Sequence, residues 1–256
     1  MLQEDYIVIG LYCAISDKLG EQDKRHKQGK LFLSEILLCG VLFALKGGSF
    51  RQFYIWLKRR NLFCLPERTR LERLLITHHG KCNAFLADPT LFNVMDSYGV
   101  EVIHPIRENR SKQSQSVSKK GKSNHRWIVG RKINVAINGK LSIVKVDHAS
   151  ANVHDNNFND QFSKIEGIIL TDFGFRQKEG TPENFKLCKR GTWGERMGVE
   201  QLFSLWTRVC GMKHSFHRTV EGFAAKALFL CALTNLIFDL NKVFDFPRFS
   251  MVQWSL

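Results

Sequence analysis

LFNVMDSYGVEVI, residues 91–103, marks the point where the chain changes character. Phe, Val, Tyr and Ile crowd this stretch, and such side chains favour the pleated surface of a sheet. It fits a strand, a turn and a second short strand. Downstream, Trp127–Ile137 and Leu141–Val146 flank Asn138-Gly139. An Asn-Gly between two β-rich runs is the strongest short hairpin signal, so this segment predicts a hairpin. GIIL, residues 167–170, reads as a buried strand that delivers Thr171-Asp172 to its C-terminal end. Phe185–Lys189 reads as one more strand. Between them, His154-Asp155 is expected to open a helix through Ile165, with Asn152 or Asp155 as cap. Glu195–Val209 and Thr219–Asn241 have helical patterning. Three strands, a helix, two strands and a helix predict an α/β layer with a mixed sheet.

Upstream of this stretch, residues 1–90 read as helices. Leu31–Leu45 is apolar, Gly47-Gly48 breaks it, and Ser49 is suited to cap a helix over Ser49–Arg60. That helix mixes Phe50, Phe53, Tyr54 and Trp56 with Arg51, Lys58, Arg59 and Arg60. Pro66-Glu67 opens another, with Arg68, Arg70 and Arg73 beside Leu71, Leu74 and Leu75. Short helices with basic faces suit DNA binding, and they equally suit a helical bundle with a solvated basic side.

Lys and Arg number 38 against 24 Asp and Glu, a net charge of +14 in 256 residues. That excess favours a polyanionic partner, with nucleic acid first. Hydrophobic residues make up 44% of the chain, enough for a sizeable core. The seven cysteines are scattered and odd in number, as in a cytosolic chain with reduced thiols. His78-His79-Gly80-Lys81-Cys82 has no second half at a zinc spacing. Glu4 and Asp5 stand where an export signal wants cations. The longest apolar stretches, Leu31–Leu45 and Phe223–Phe238, are interrupted by Glu35 and Lys226; both are short for a membrane span and read as core helices. Residues 106–126 form a polar tract with Arg107, Arg110, Lys112, Lys119, Lys120, Lys122 and Arg126, read as a flexible basic loop. Such a loop holds a phosphate backbone or is simply solvated.

Asp96 and Asp172 each follow a β-rich run. A charge in an apolar strand is costly unless paired or metal-bound, so both are placed at strand ends facing a cleft. Glu200 lies on an amphipathic helix beside Val199, Leu202, Phe203 and Leu205. Three carboxylates from separate elements suit two Mg²⁺ ions, with Mn²⁺ as substitute. Each acid also has an ordinary reading: a turn or cap for the aspartates, an i, i+4 pair with Arg196 for Glu200.

The residues from Asp96 to Phe229 resemble the catalytic domain of DDE transposases encoded by bacterial insertion sequences. The resemblance is carried by Asp96 in Val-Met-Asp-Ser, by Gly130–Asn134 (GRKIN) and by His148–Asp155 (HASANVHD). Asp172 in Leu-Thr-Asp-Phe-Gly-Phe and Arg196-x-x-x-Glu200-Gln-x-Phe203 complete it. The N-terminal part is similar through Leu33-Ser34-Glu35 and Arg68–Leu75. Relatives carry Tyr, Arg, Glu and Lys at fixed offsets on the acidic helix. Here Trp193 holds the Tyr offset and Thr207 the Lys offset, with Arg208 beside it.

The resemblance implies a ribonuclease-H-like mixed sheet flanked by helices (residues 91–256, with the C-terminal helices), preceded by a helical DNA-binding region (residues 1–90). It implies Mg²⁺-dependent cleavage of transposon ends and transfer of the 3′ ends to target DNA, with Asp96, Asp172 and Glu200 as metal-binding acids. Double-stranded DNA is the partner, with Lys119, Lys120, Lys122, Arg126, Lys189, Arg190, Arg196 and Arg208 on its phosphates. No membrane is involved, a homodimer or higher assembly joins two ends, and the location is the cytoplasm with the nucleoid. The 28 positions between Asp172 and Glu200 leave no room for a large inserted domain. His154-Asp155 reads as a helix-start cap. The alternatives are a ribonuclease-H-like nuclease that cuts without joining and a non-catalytic, transposase-derived DNA-binding protein. An RNA-binding interaction protein is a weaker option, since no RNP1-like aromatic motif is present.

Overall fold

A computed structural model describes residues 4–111, 118–123, 126–178, 180–188, 197–217 and 219–256, the side chain at 109 excepted. The chain divides into two compact units. One comprises residues 1–85, 207–212 and 219–256, the other residues 86–206 and 213–218.

The first unit is helical: α1 (Glu4–Leu19), α2 (Leu33–Lys46), α3 (Phe50–Arg60), α4 (Arg68–His78) and a long C-terminal helix (Val220–Val243), α7 in chain order. α3 starts where the sequence predicts, with Ser49 Oγ accepting from the Gln52 amide. It ends in the left-handed conformation at Asn61. α2 is buried nearly throughout its length and packs on α7. Gly40 allows this approach, because a Cβ there would run into the Phe229 ring. α7 is long and apolar enough to cross a membrane, yet 83% of its apolar window is buried inside the protein, as in a core helix. Its grouping with the N-terminal helices differs from the division expected at residue 90, because its apolar residues pack on α2 and on residues 79–85.

The second unit is built on a six-stranded mixed sheet: β1 (Phe92–Ile103), β2 (Lys119–Ser123), β3 (Arg126–Asn138), β4 (Ile143–Ser150), β5 (Ile168–Thr171) and β6 (Phe185–Leu187). β3 pairs antiparallel with β1 along one edge and with β4 and β2 along the other. β5 lies parallel to the far edge of β1, and β6 parallel to β5. The sheet is therefore antiparallel on one side of β1 and parallel on the other. One face buries Met95, Ala136, Ile169, Phe158, Phe162 and Phe175. On the other face Tyr98 meets Phe203 and Trp206 of α6 (Met197–Arg208), at ring-centroid distances of 5.0 and 6.3 Å.

Three local expectations change. Within residues 91–103, Phe92–Ile103 form one strand of 12 residues without a turn. Gly99 stays paired with Lys132; a Cβ there would collide with the Ser123 side chain, so the glycine serves strand packing. Within the polar tract, Pro105–Arg110 forms a 3-10 helix, and Lys119–Ser123 forms an edge strand where a loop was expected; Lys112 lies outside the described residues. The helix expected through Ile165 shortens to a 3-10 turn, Asp155–Phe158, and one helical turn, α5 (Asn159–Phe162). Asn156 and Asn159 direct their side-chain amides to the carbonyls of Arg176 and Phe175. Such side-chain-to-backbone bonds draw asparagine away from regular helix.

Candidate active site

The parallel pairing of β1 and β5 sets the geometry. Phe92 pairs with Ile168, Asn93 with Ile169 and Val94 with Leu170. Continuing that register by two positions puts Asp172 opposite Asp96. Neighbouring strands lie about 4.8 Å apart, and residues at one register level share a face of the sheet. The two aspartates thus reach one level of the sheet although the chain travels through the whole hairpin between them. Both are half-buried.

Their settings differ. Asp172 stands at the C-terminal end of β5, as expected, and its Oδ1 accepts from the Gly174 amide at 2.8 Å, which caps the 3-10 turn Phe173–Phe175. Asp96 lies inside β1, paired with Val135, and not at a strand end as the sequence suggested. The strand runs on because Tyr98 and Val100 continue the buried alternation beyond it. Asp96 Oδ1 accepts from the Ser97 amide at 2.8 Å.

Glu200 is exposed in the first turn of α6. Its level can be read from its neighbours. A Cβ on Gly198 would meet Leu141 at 2.5 Å and Ile137 at 3.5 Å, and Ile137 pairs with Val94. Phe203, one turn beyond Glu200, packs against Tyr98 with its ring tilted. The contacts on either side of Glu200 therefore fall at the levels of Val94 and Tyr98, with Asp96 between them. Among the described residues, no three His, Cys, Asp or Glu side chains stand close enough to hold one metal ion.

Of the cations assigned to DNA, Lys119, Lys120 and Lys122 are exposed on β2, and Arg126 is exposed at the start of β3. Lys120 Nζ lies 3.5 Å from Glu108 and 5.9 Å over the exposed Trp127 ring. Arg126 lies 4.0 Å from Glu101. Arg208 is exposed at the last residue of α6, in the helical unit. Lys189, Arg190, Trp193 and Arg196 lie outside the described residues.

The sequence reading gave no role to Lys132. It lies within β3, is 7% exposed, and its Nζ donates to Asp155 Oδ1 at 2.9 Å and to the Val153 carbonyl at 3.1 Å. Asp155 therefore does not act as the expected helix cap: His154 occupies the cap position without a side-chain bond, and the Asp155 carboxylate goes to Lys132. A cation inside a β-rich run needs a partner, and that rule, applied to Lys132, was the available signal.

Residues 86–187 match the family model described as "Transposase DDE domain". The matched segment contains Asp96, Lys132, Asp155 and Asp172; Glu200 lies beyond its end. No curated protein and no solved structure matches the chain.

Proposed function

We propose that this chain is a DNA transposase that cleaves transposon ends and transfers the 3′ ends to target DNA, with Asp96, Asp172 and Glu200 as its acids. The observation that carries this reading is the β1–β5 register, whose continuation by two residues past the Val94–Leu170 pair would level Asp96 with Asp172 inside the segment matching the transposase DDE domain. A sheet that is antiparallel on one side of β1 and parallel on the other supports a ribonuclease-H-like architecture.

An all-carboxylate donor set fits a hard divalent cation such as Mg²⁺, with Mn²⁺ as substitute. When bound, such ions supply Lewis acidity at phosphorus and make water or a 3′-hydroxyl a competent nucleophile near neutral pH. The chain's part is to orient. The amides of Ser97 and Gly174 hold the two aspartates, and α6 would supply Glu200 as the third acid. Cleavage by water and attack by the freed 3′-hydroxyl are both in-line displacements at phosphorus, so one acidic centre serves both.

Lys119, Lys120, Lys122 and Arg126 would neutralise duplex phosphates, joined by Lys189, Arg190, Arg196 and Arg208, and affinity would fall steeply with salt. The basic helices α3 and α4 suit a further DNA contact. Handling two ends together calls for a dimer or larger assembly, located with the nucleoid in the cytoplasm.

The test is cleavage of a labelled duplex carrying the element end, in Mg²⁺, Mn²⁺ or EDTA, by wild type and by Asp172→Asn. Metal-dependent nicking at the element boundary by wild type alone is the expected result. Tight binding without nicking, with both ends and either metal supplied, would replace this reading with a non-catalytic DNA-binding protein. Nicking without joining of a pre-cleaved end would replace it with a nuclease.

A further inference from the structure

We infer that Lys132 and Asp155 form a positioning pair that holds the Asp172 turn at the level of Asp96. The inference rests on the reading of Asp172 as a catalytic acid. Lys132 pairs with Gly99, three residues along β1 from Asp96, so the cation stands on the same strand pair that carries the first acid. From there it reaches Asp155 Oδ1 and the Val153 carbonyl, and so fixes the entry to the 155–158 turn.

The other oxygen of Asp155 faces the Asp172 turn. A Cβ built on Gly174 would lie 3.4 Å from Asp155 Oδ2 and 2.9 Å from Asp172 Oδ1. A side chain at position 174 would therefore meet both carboxylates. Three side-chain amides continue the attachment. Asn156 donates to the Arg176 carbonyl at 3.4 Å, Gln177 to the Asn156 carbonyl at 3.2 Å, and Asn159 to the Phe175 carbonyl at 2.7 Å. The short 155–159 segment is therefore the wall against which residues 172–177 are set.

Charge gives this wall its direction. Two carboxylates flanking one glycine repel each other. The Lys132 ammonium offsets the charge on Asp155 and pins that carboxylate on its far side. Groups that orient a metal-binding side chain commonly matter nearly as much as the ligand itself. The Lys132 ammonium touches neither Asp96 nor Asp172, so its action is positional.

The test compares wild type with Lys132→Met, Asp155→Asn and the double variant, by amide hydrogen exchange and by Mg²⁺-dependent nicking. Asp155→Asn keeps the shape of the side chain and guards against a Lys132→Met protein that fails to fold. Each single variant should speed exchange across residues 172–177 while leaving β1 and β3 protected. Each should slow turnover roughly 10- to 100-fold with duplex affinity unchanged, and the double variant should be no worse than the poorer single, because both remove one link. Unchanged exchange at 172–177 in both singles overturns the inference whatever the DNA assay shows, and so do losses that multiply in the double. Faster exchange in the variants of a protein that never nicks DNA supports the brace and overturns the catalytic reading of Asp172.

Discussion

The helical unit and the sheet unit place their buried polar side chains to different ends. In the helical unit, Asn235 donates to the Phe85 carbonyl, and Asn241 donates to the carbonyls of Pro247 and Arg248 while accepting from the Trp254 indole. These bonds tie flanking segments onto α7. In the sheet unit, Lys132 holds Asp155, and from the turn that Asp155 begins the half-buried Asn156 and the buried Asn159 donate to the segment that follows Asp172, the place where a β-rich run releases an acid. Polar burial closes the first unit on itself and aims a carboxylate in the second. Core damage in the helical unit should then register as lost stability, and changes beside Asp172 as lost activity.

The largest stability effect is expected from Phe229→Ala. Its ring is fully buried against Gly40, and the loss should be about 3–5 kcal/mol by urea denaturation. Hydrogen exchange in β1 and β3 should be unaffected below the transition; an equal loss of protection there would erase the distinction between the units.

Next comes Lys226, which is 1% exposed with its Nζ 5.3 Å over the Phe43 ring. Burial pushes its ammonium down from 10.5 to about 8, partly offset by Cys210. Between about pH 8 and 10.5 the unfolded chain then binds the proton that the folded chain has released, so this group makes stability rise with pH. Burial also pushes the thiols of Cys39, Cys82 and Cys231 up, and that of Cys210 to about 12, from an ordinary 9.0. Unfolded thiols begin to lose protons from about pH 8 while the folded ones keep theirs, which makes stability fall across the same range, so the Lys226 rise is read as the difference between wild type and Lys226→Met. Lys226→Met should stabilise the unit at pH 7 by on the order of 1–3 kcal/mol and abolish the rise; a rise that persists would assign it to another group.

Gly174→Ala inverts the pattern. The added methyl meets Asp172 Oδ1 at 2.9 Å, so nicking should collapse while stability changes by under about 1 kcal/mol. Equal loss of both would make the turn structural. The smallest effect belongs to Lys122→Ala on the edge strand: stability within about 0.5 kcal/mol, and a log-affinity against log-salt slope reduced by about 1. An unchanged slope would remove Lys122 from the DNA surface.

The strands of the sheet unit other than the basic edge strand β2 were legible because Val, Ile and Phe cluster between turn residues, and the Ser49 cap because its chemistry is local. The turn expected within residues 91–103 does not form, and Gly99 there serves close packing against Ser123. The equivalence of Asp96 and Asp172 was not legible as geometry: pairing register depends on which strands meet, and no local pattern encodes that. The Lys132–Asp155 pair was half legible, as a charge inside a β-rich run whose partner lies on another element.

The β1–β5 pairing works like a gauge block. It fixes the offset between Asp96 and Asp172 by counting backbone rungs, independently of how much chain lies between them. Insertions in the connections from β1 to β5 should therefore leave the acids aligned, and such loops are free to drift in length. A slip of β5 by a single rung would instead turn Asp172 to the opposite side of the sheet from Asp96. The site tolerates changes of contour length and is intolerant of changes of phase.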